Sequence, residues 1–278
     1  MVVRPPHLER KPVTRPLILV SNDDGIDAPG IAILADAMRA LGEVWVVAPA
    51  TEQSAVSGAI SLRQPLRIRE RAPQQFAVSG TPTDCVYIAL NHALPRRPAL
   101  CVSGINHGAN LGDDVLYSGT VAAAIEATLS DVPSIAFSQA GRGAMDAALL
   151  ASWVQRIAAD ALKEGLPRAS FLNVNFPPAL SASSGVRVSK LGRRNYGRQV
   201  VAKEDPRHLP YYWLGGSELG FDDMPGSDCN AVAEGHISLS PVDLDLTHYR
   251  FLNELRQWDA LQPHAEPRSQ GAPGDSDV

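Results

Sequence analysis

The chain has 278 residues and a net charge of −5, from 25 basic and 30 acidic side chains. This length suits one large α/β domain with a smaller appendage, and the acidic balance argues against a nucleic-acid duplex as partner. The three cysteines, Cys85, Cys101 and Cys229, lack CxxC spacing, which excludes a disulfide framework and a zinc site and favours the cytoplasm. No apolar run approaches the ~18 residues of a membrane helix, so no membrane association is expected.

Residues 1–15 are rich in Pro, Arg and Lys without an apolar period, which predicts a disordered extension. The apolar run 17–20 indicates the first buried strand, and it ends in the polar corner Ser21-Asn22-Asp23-Asp24-Gly25. Ligands of open α/β folds bind at such strand ends. Adjacent carboxylates raise each other's pKa, and a divalent cation relieves that repulsion. The corner predicts a metal site, with a surface turn capping the next helix as the alternative.

A strand–helix–strand unit is predicted next, because helical spacing over residues 29–41 precedes an apolar strand at 44–48. The loop after this strand carries Ser54 and Ser57 and leaves the same sheet edge as the two aspartates. For either serine the alternative is a solvated connection. Residues 59–79 alternate enough to indicate a β excursion.

The third core strand, residues 99–103, ends in a loop with three glycines and two asparagines, which permits close backbone approach to a ligand. The loop leads to Ser118-Gly119-Thr120 and an Ala-rich helix at 121–129. Amides and hydroxyls at a helix N-terminus can hold a phosphate. The lysine of a Walker motif is missing, and an ordinary Ser/Thr cap is the alternative to an anion site.

The other elements continue the α/β alternation and then depart from it. The predicted core elements are helix 82–90 with Thr81 as N-cap, strand 133–137, helix 145–163 and strand 171–175. Short strands at 186–191, 211–214 and 237–241 and a helix at 249–261 are expected to lie outside the main sheet.

These patterns predict a catalytic α/β core over residues 16–185, with a parallel sheet between two helix layers. An extended hairpin and helix over residues 186–262 is expected to mediate oligomerisation by strand exchange or a swapped helix. Residues 263–278 lack an apolar pattern and are expected to be disordered.

Oxygen ligands dominate the predicted corner: two carboxylates, a hydroxyl from the loop after the second strand and an amide from the loop after the third. That donor set favours Mg²⁺ or Mn²⁺ over zinc. With a phosphate cradle beside it, the natural reaction class is metal-assisted phosphoryl transfer to water.

Four motifs resemble the signatures of the SurE survival-protein nucleotidases and occur in that family's order. They are Ser21-Asn22-Asp23-Asp24-Gly25 with Ala28-Pro29-Gly30, the stretch from Val47 to Gly58, Gly80-Thr81-Pro82-Thr83-Asp84, and Ser103-Gly104-Ile105-Asn106 through Tyr117-Ser118-Gly119-Thr120. Gly226-Ser227-Asp228 also looks like the family's C-terminal region. The N-terminal leader is longer than usual for the family.

The resemblance implies a Rossmann-like three-layer fold and a metal-dependent phosphatase acting on nucleoside 5′- and 3′-monophosphates, with some exopolyphosphatase activity. It also implies one Mg²⁺ or Mn²⁺ per subunit and a homodimer or homotetramer with swapped C-terminal elements. By resemblance the metal ligands are Asp23, Asp24, Ser54 and Asn106, and the residues at the phosphate are Asn110, Ser118, Gly119 and Thr120.

Two other functions are compatible with the sequence. A phosphatase that forms an aspartyl intermediate also begins with an apolar strand and acidic residues, although it requires DxD rather than adjacent acids. A non-catalytic nucleotide-binding regulator could use the same crevice. His107 is the only histidine in the crevice loops, and we expect it to be a solvated loop residue, with Asp23 or Asp24 accepting the proton or orienting the water.

Overall fold

The computed structural model describes residues 15–141, 143–196, 200–214 and 219–258. The chain divides into two compact units, one up to Leu244 and one from Asp245 onward. The predicted extension 1–15 and tail 263–278 lie outside the described residues, apart from Arg15. Within the described ranges, no helix combines the length and hydropathy that crossing a membrane requires.

The first unit is built on a nine-stranded sheet, and two two-stranded sheets accompany it. The described strands are β1 (Leu17–Ser21), β2 (Glu43–Pro49), β3 (Ile68–Ala72), β4 (Gln75–Val78), β5 (Leu100–His107), β6 (Ser134–Gln139), β7 (Ser170–Phe176), β8 (Val186–Val188), β9 (Arg194–Tyr196), β10 (Val200–Glu204), β11 (Pro210–Leu214), β12 (Leu219–Phe221) and β13 (Ile237–Asp243). The described helices are α1 (Pro29–Arg39), α2 (Pro82–Ile88), α3 (Gly119–Leu129), α4 (Ala147–Glu164), α5 (Asp228–Ala233) and α6 (Tyr249–Leu255).

The strand order of the main sheet is β3-β4-β2-β1-β5-β6-β7-β13-β8, and the two-stranded sheets are β10–β11 and β9–β12. The six strands from β4 to β7 are mutually parallel. β3 and β13 run antiparallel to β4 and β7, whereas β8 runs parallel to β13. The predicted α/β fold is confirmed, as a mixed and mostly parallel sheet flanked by helices.

Helices cover both faces of β1, which explains why this strand is continuously apolar. Side chains alternate between the faces of a strand, so Ile18 and Val20 pack in one core with α1 and α4, while Leu19 packs in another with α2 and α3. All of β1 is buried, and its carboxyl end places Asp23 and Asp24 at the edge of the sheet.

The start of α1 packs directly on the end of β5. Pro29 occupies the first turn of α1, and an added Cβ at Gly30 would lie 2.0 Å from the carbonyl oxygen of Ile105. Only glycine permits this approach, because no side-chain carbon fits there. The contact brings the loop after β1 against the strand that carries Asn106.

The prediction that residues 186–262 lie outside the main sheet is wrong for β8 and β13. β13 pairs with six of the seven residues of β7, from Ser170 to Asn175, and β8 pairs with β13 in turn. The pairing supplies hydrogen-bond partners for the backbone of β7, which would otherwise be an open edge. Length and periodicity could not indicate this, because sequence alone does not say which strand a late segment joins.

Two further boundaries differ from the sequence prediction. Within 59–79 only β3 and β4 are strands, and they extend the main sheet instead of leaving it. The predicted helix at 249–261 is observed as α6, which ends at Leu255, and residues 259–261 lie outside the described residues.

Candidate active site

A cleft of about 1090 Å³ opens at the carboxyl ends of β1, β2 and β5. Six of the eight predicted site residues line it: Asp23, Asp24, Ser54, Asn106, Asn110 and Ser118. Gly119 and Thr120 do not line the cleft, but Gly119 lies close to Asp23 and the Thr120 hydroxyl is hydrogen-bonded to it. The structure thus brings the predicted metal and phosphate residues to one place.

Asp23 is the more buried of the two adjacent carboxylates, with 4% of its surface exposed. The hydroxyl of Thr120 donates a hydrogen bond to its Oδ1. Burial raises the pKa of Asp23 to about 6, the neighbouring charge of Asp24 adds to the rise, and the Thr120 hydroxyl opposes it. A metal-free carboxylate here is therefore costly to ionise.

Asp24 is half-buried, and the backbone N–H of His107 lies 3.4 Å from its Oδ2. Burial raises the pKa of Asp24, and the charge of Glu52 acts in the same direction. Neither aspartate caps α1, because the residue before that helix is Ala28, which makes no side-chain capping bond. The alternative of a purely structural helix cap is therefore not observed.

Ser54 and Asn106 add neutral oxygens to the cleft. The hydroxyl of Ser54 donates to Oε1 of Glu52 at 2.7 Å, and Nδ2 of Asn106 donates to the carbonyl of Gly108 at 2.8 Å. The latter bond uses the amide nitrogen of Asn106, which leaves its Oδ1 as the group that can accept or coordinate. Ser57 does not line the cleft, because its hydroxyl donates to the carbonyl of Leu116 at 2.6 Å.

The donor set fits a hard divalent cation, because it combines two carboxylates with a hydroxyl and an amide oxygen. Among the described residues, no group of three or more His, Cys, Asp or Glu side chains could hold a metal ion. A site of this composition lacks the nitrogen and sulfur ligands that zinc takes in structural sites.

Three of the predicted phosphate residues, Ser118, Gly119 and Thr120, lie at the N-terminus of α3. Oγ of Ser118 accepts a hydrogen bond from the backbone N–H of Val121 at 3.1 Å. Ser118 is therefore the N-cap of α3, which is the structural role predicted as the alternative to an anion site. The same residue also lines the cleft. The first N–H groups of a helix have no partner within the helix, so they can face an anion.

Gly119 lets α3 approach Asp23 closely. A Cβ at this position would lie 2.7 Å from Cβ of Asp23, closer than two such carbons can come. The helix N-terminus and the buried carboxylate are thus in direct contact, which places the predicted anion and cation sites side by side.

A polar cluster on the wall of the cleft was not predicted from the sequence. The carboxylate of Asp114 accepts hydrogen bonds from the hydroxyl of Tyr196 and, at 3.1 Å, from Nε of Arg194. Asp114 and Tyr196 line the cleft. Arg194 and Tyr196 lie on β9, in the region predicted to serve only oligomerisation, and no local signal in the sequence connects them to the glycine-rich loop.

The family model described as "Survival protein SurE" matches residues 18–198 of this chain. The chain belongs to the SurE family. A curated SurE relative from Myxococcus xanthus (strain DK1622), named 5′-nucleotidase SurE, is 51% identical over 243 residues, covering 87% of this chain and 92% of the relative. One of the same name from Geobacter sulfurreducens (strain ATCC 51573 / DSM 12127 / PCA) is 49% identical, covering 89% and 96%.

A crystal structure of the SurE protein from Aquifex aeolicus matches the fold with a TM-score of 0.77 and 37% sequence identity. The match covers 87% of this chain and 98% of the Aquifex chain. The SurE family assignment therefore rests on sequence and on fold together.

Proposed function

We propose that this SurE-family chain is a metal-dependent nucleotidase, which hydrolyses nucleoside 5′- and 3′-monophosphates to nucleoside and phosphate. Exopolyphosphatase activity at the same cleft is part of the proposal. The observation that supports it most directly is the pair of adjacent carboxylates, of which Asp23 contacts the N-terminus of α3. Relatives at 49 to 51% identity named 5′-nucleotidase SurE support it.

Asp23, Asp24, Ser54 and Asn106 are the residues that would hold one Mg²⁺ or Mn²⁺. The raised pKa of each aspartate supports this, because a cation removes the cost of ionising both in a partly buried place. When bound, the cation would supply positive charge toward the phosphoryl oxygens and acidify the attacking water.

The other residues bind the phosphoryl group and move the proton. One N–H of the Asn110 amide donates to Ser138 Oγ, and the second remains for a phosphoryl oxygen. The backbone N–H groups of Gly119 and Thr120 and the Ser118 residue would bind the other oxygens. Of the two aspartates, Asp24 is the more accessible proton acceptor, because it is less buried and Oδ1 of Asp23 already accepts from Thr120.

His107 has no place in this mechanism. Its side chain is exposed, and its Nε2 lies 3.2 Å from the carbonyl oxygen of Gly143. We expect His107→Ala to lose less than about 10²-fold in activity, the scale of general-base catalysis. A larger loss would return His107 to the list of catalytic residues.

We further propose a homodimer or homotetramer in the cytoplasm. The β10–β11 ribbon supports the assembly, because Tyr212 and Trp213 are 63% and 64% exposed and a two-stranded ribbon is marginally stable alone. A reducing compartment suits the cysteines, all three of which are buried and free.

The proposed activity is tested on a panel of nucleoside 5′- and 3′-monophosphates and polyphosphate, with Mn²⁺, Mg²⁺ or EDTA. We expect metal-dependent turnover by the wild type and a loss of orders of magnitude in Asp23→Asn and Asp24→Asn. Nucleotide binding without turnover would favour the regulatory alternative. Retained metal-dependent turnover in both variants would remove the two aspartates from the site.

Direct attack of water is tested by reaction in ¹⁸O-labelled water. The proposal predicts label in the released phosphate, none in the protein and no phosphoenzyme in acid-quenched single turnovers. The quench is needed because water attacking the phosphorus of an aspartyl phosphate would label the phosphate as well. Label in Asp23 or Asp24, or a trapped phosphoenzyme, would establish the covalent aspartyl mechanism instead.

A further inference from the structure

Two asparagines on β7 meet the backbone of Asn110. Asn173 and Asn175 are two positions apart, so their side chains share one face of the strand, and both are fully buried. Resting on the proposed nucleotidase function, we infer that Asn173 and Asn175 are positioning residues, which hold the Asn110 carboxamide at the phosphate of the substrate.

The contact with Asn175 is a two-point clamp. The backbone N–H of Asn110 donates to Oδ1 of Asn175 at 2.8 Å, and Nδ2 of Asn175 donates back to the Asn110 carbonyl at 3.0 Å. Nδ2 of Asn173 donates to the same carbonyl at 2.8 Å. Both polar groups of the Asn110 backbone are thus held by side chains of a strand more than sixty residues away in the chain.

The side chain of Asn110 has a third anchor. Its Nδ2 donates to the hydroxyl of Ser138 on β6 at 2.8 Å, and Ser138 is fully buried. Backbone and side chain are therefore both fixed by the rigid main sheet, although Asn110 itself lies in a loop. Groups that contact a transition state gain most when rigid elements hold them in place.

Stability alone does not explain the two asparagines. Oδ1 of Asn173 is buried without a hydrogen-bond partner among the described residues, which is a net cost to folding. Phe171, on the same face of β7, packs in an apolar core. The face therefore changes from apolar to amide only where it reaches the loop that carries Asn110, as a positioning role requires.

The positioning role predicts a particular kinetic pattern. Asn110 is assigned to the phosphate and not to the cation, so loosening it should lower kcat while leaving the Mn²⁺ dependence unchanged. A misplacement of about 1 Å can cost roughly 10²-fold in rate. A defect that merely loosened the fold would instead change stability without a selective effect on kcat.

The test uses four variants of the full-length protein with Mn²⁺ and a nucleoside monophosphate. Asn173→Asp and Asn175→Asp keep the side-chain size and remove the Nδ2 donor, and Asn173→Leu and Asn175→Leu remove the amide without adding charge. We expect each to lose at least about tenfold in kcat, with the Mn²⁺ midpoint changed less than about twofold. If an aspartate variant does not fold, kcat and the Mn²⁺ midpoint are measured on the leucine variant at the same position.

Ser134→Ala is the matched control. Ser134 is also a fully buried polar residue of the main sheet, and its hydroxyl bonds the Ala124 carbonyl and Thr128 instead of any cleft residue. We expect this variant to lose thermal stability and to keep kcat within about twofold. A comparable kcat loss in the control would overturn the inference.

A double-mutant cycle separates positioning from general damage. In the background of Asn110→Ala, replacing Asn175 by Leu should cost less than about threefold further, because the side chain that it positions is gone. Losses that multiply in the double variant, or unchanged kcat in the folded single variants, would refute the inference.

Failure of the proposed function is visible separately, because the wild type itself would then turn over no nucleotide. The same proteins are therefore also titrated with inorganic phosphate in the presence of Mn²⁺. The inference expects the Asn175 variants to bind phosphate at least about fivefold more weakly than the wild type and the Ser134 control. Equal phosphate affinity in all of them would count against it.

Discussion

The contact between α3 and Asp23 leaves no space for a side-chain carbon at Gly119. At Gly119 an added Cβ would contact Cβ and Oδ2 of Asp23 at 2.7 and 3.0 Å. We expect Gly119→Ala to displace the Asp23 carboxylate and to lower activity by at least about tenfold, with weaker apparent Mn²⁺ affinity. Steady-state kinetics against Mn²⁺ concentration measures both effects.

Gly58→Ala is the control for this substitution, because nothing lies within 4 Å of the added carbon at Gly58. Gly119→Ala should also lower the free energy of unfolding by about 1–3 kcal/mol, because the added carbon overpacks a buried contact. Wild-type metal affinity in Gly119→Ala would show that the helix can shift without moving Asp23.

Asp23 should make the metal-free protein less stable as the pH rises. Its pKa is raised from 3.8 to about 6, so the folded state holds the proton more tightly than the unfolded state. The associated stability is fully present below pH 3.8 and is lost as the pH rises through about 6. Asp23→Asn removes this loss and should raise the free energy of unfolding at pH 8 by up to about 3 kcal/mol.

Chemical denaturation of the EDTA-treated proteins at pH 4 and pH 8 measures this effect. The stabilisation by Asp23→Asn should be present at pH 8 and absent at pH 4, whereas Asp113→Asn, an exposed neighbour on the glycine-rich loop, should change neither value. Destabilisation by Asp23→Asn at pH 8 would contradict the burial argument.

A second element that supports the oligomer proposal is α6. This helix has seven residues and none of them is buried, while Phe251 and Trp258 are exposed. A helix this short is marginal in isolation, so we expect a second copy of the chain to cover it. Truncation before Tyr249 should therefore lower the oligomeric state, which light scattering measures as the particle mass divided by the mass of one chain.

The matched control is a chain that ends at Trp258. It keeps α6 and should keep the wild-type number of subunits. An unchanged number of subunits after removal of α6 would assign the assembly to other elements. The β10–β11 ribbon is the first of these to test. Substitution of Tyr212 and Trp213 by serine would then be the informative variant.

Across the whole molecule, a cation that binds only the folded state should raise the stability of the fold. At a Mn²⁺ concentration 100 times the dissociation constant, the expected gain is about 2.7 kcal/mol, or roughly 5–10 °C in Tm. Asp23→Asn combined with Asp24→Asn should abolish this gain. Thermal scans with Mn²⁺ and with NaCl at equal ionic strength measure it, and an equal Tm rise in the double variant would place the metal elsewhere.

Local patterns in the sequence were sufficient to predict many of the strands and helices and most of the predicted site residues that line the cleft. The apolar run before Asp23 specifies a strand buried on both faces, and Thr81 and Asp84 form the predicted cap of α2. Six predicted site residues meet in one cleft, because the ends of neighbouring parallel strands converge at one sheet edge. The assignments of metal ligands and phosphate contacts remain predictions.

Contacts between distant segments were decided by the tertiary structure alone. The bond from Thr120 to Asp23 spans 97 positions, and that from Asn110 to Asn175 spans 65. Each asparagine of β7 lies in a segment that the sequence indicates only as a buried strand, and the addition of β13 to that strand has no local signal either. Periodicity reports which face of an element is buried, whereas the partner on that face is selected by packing of the whole chain.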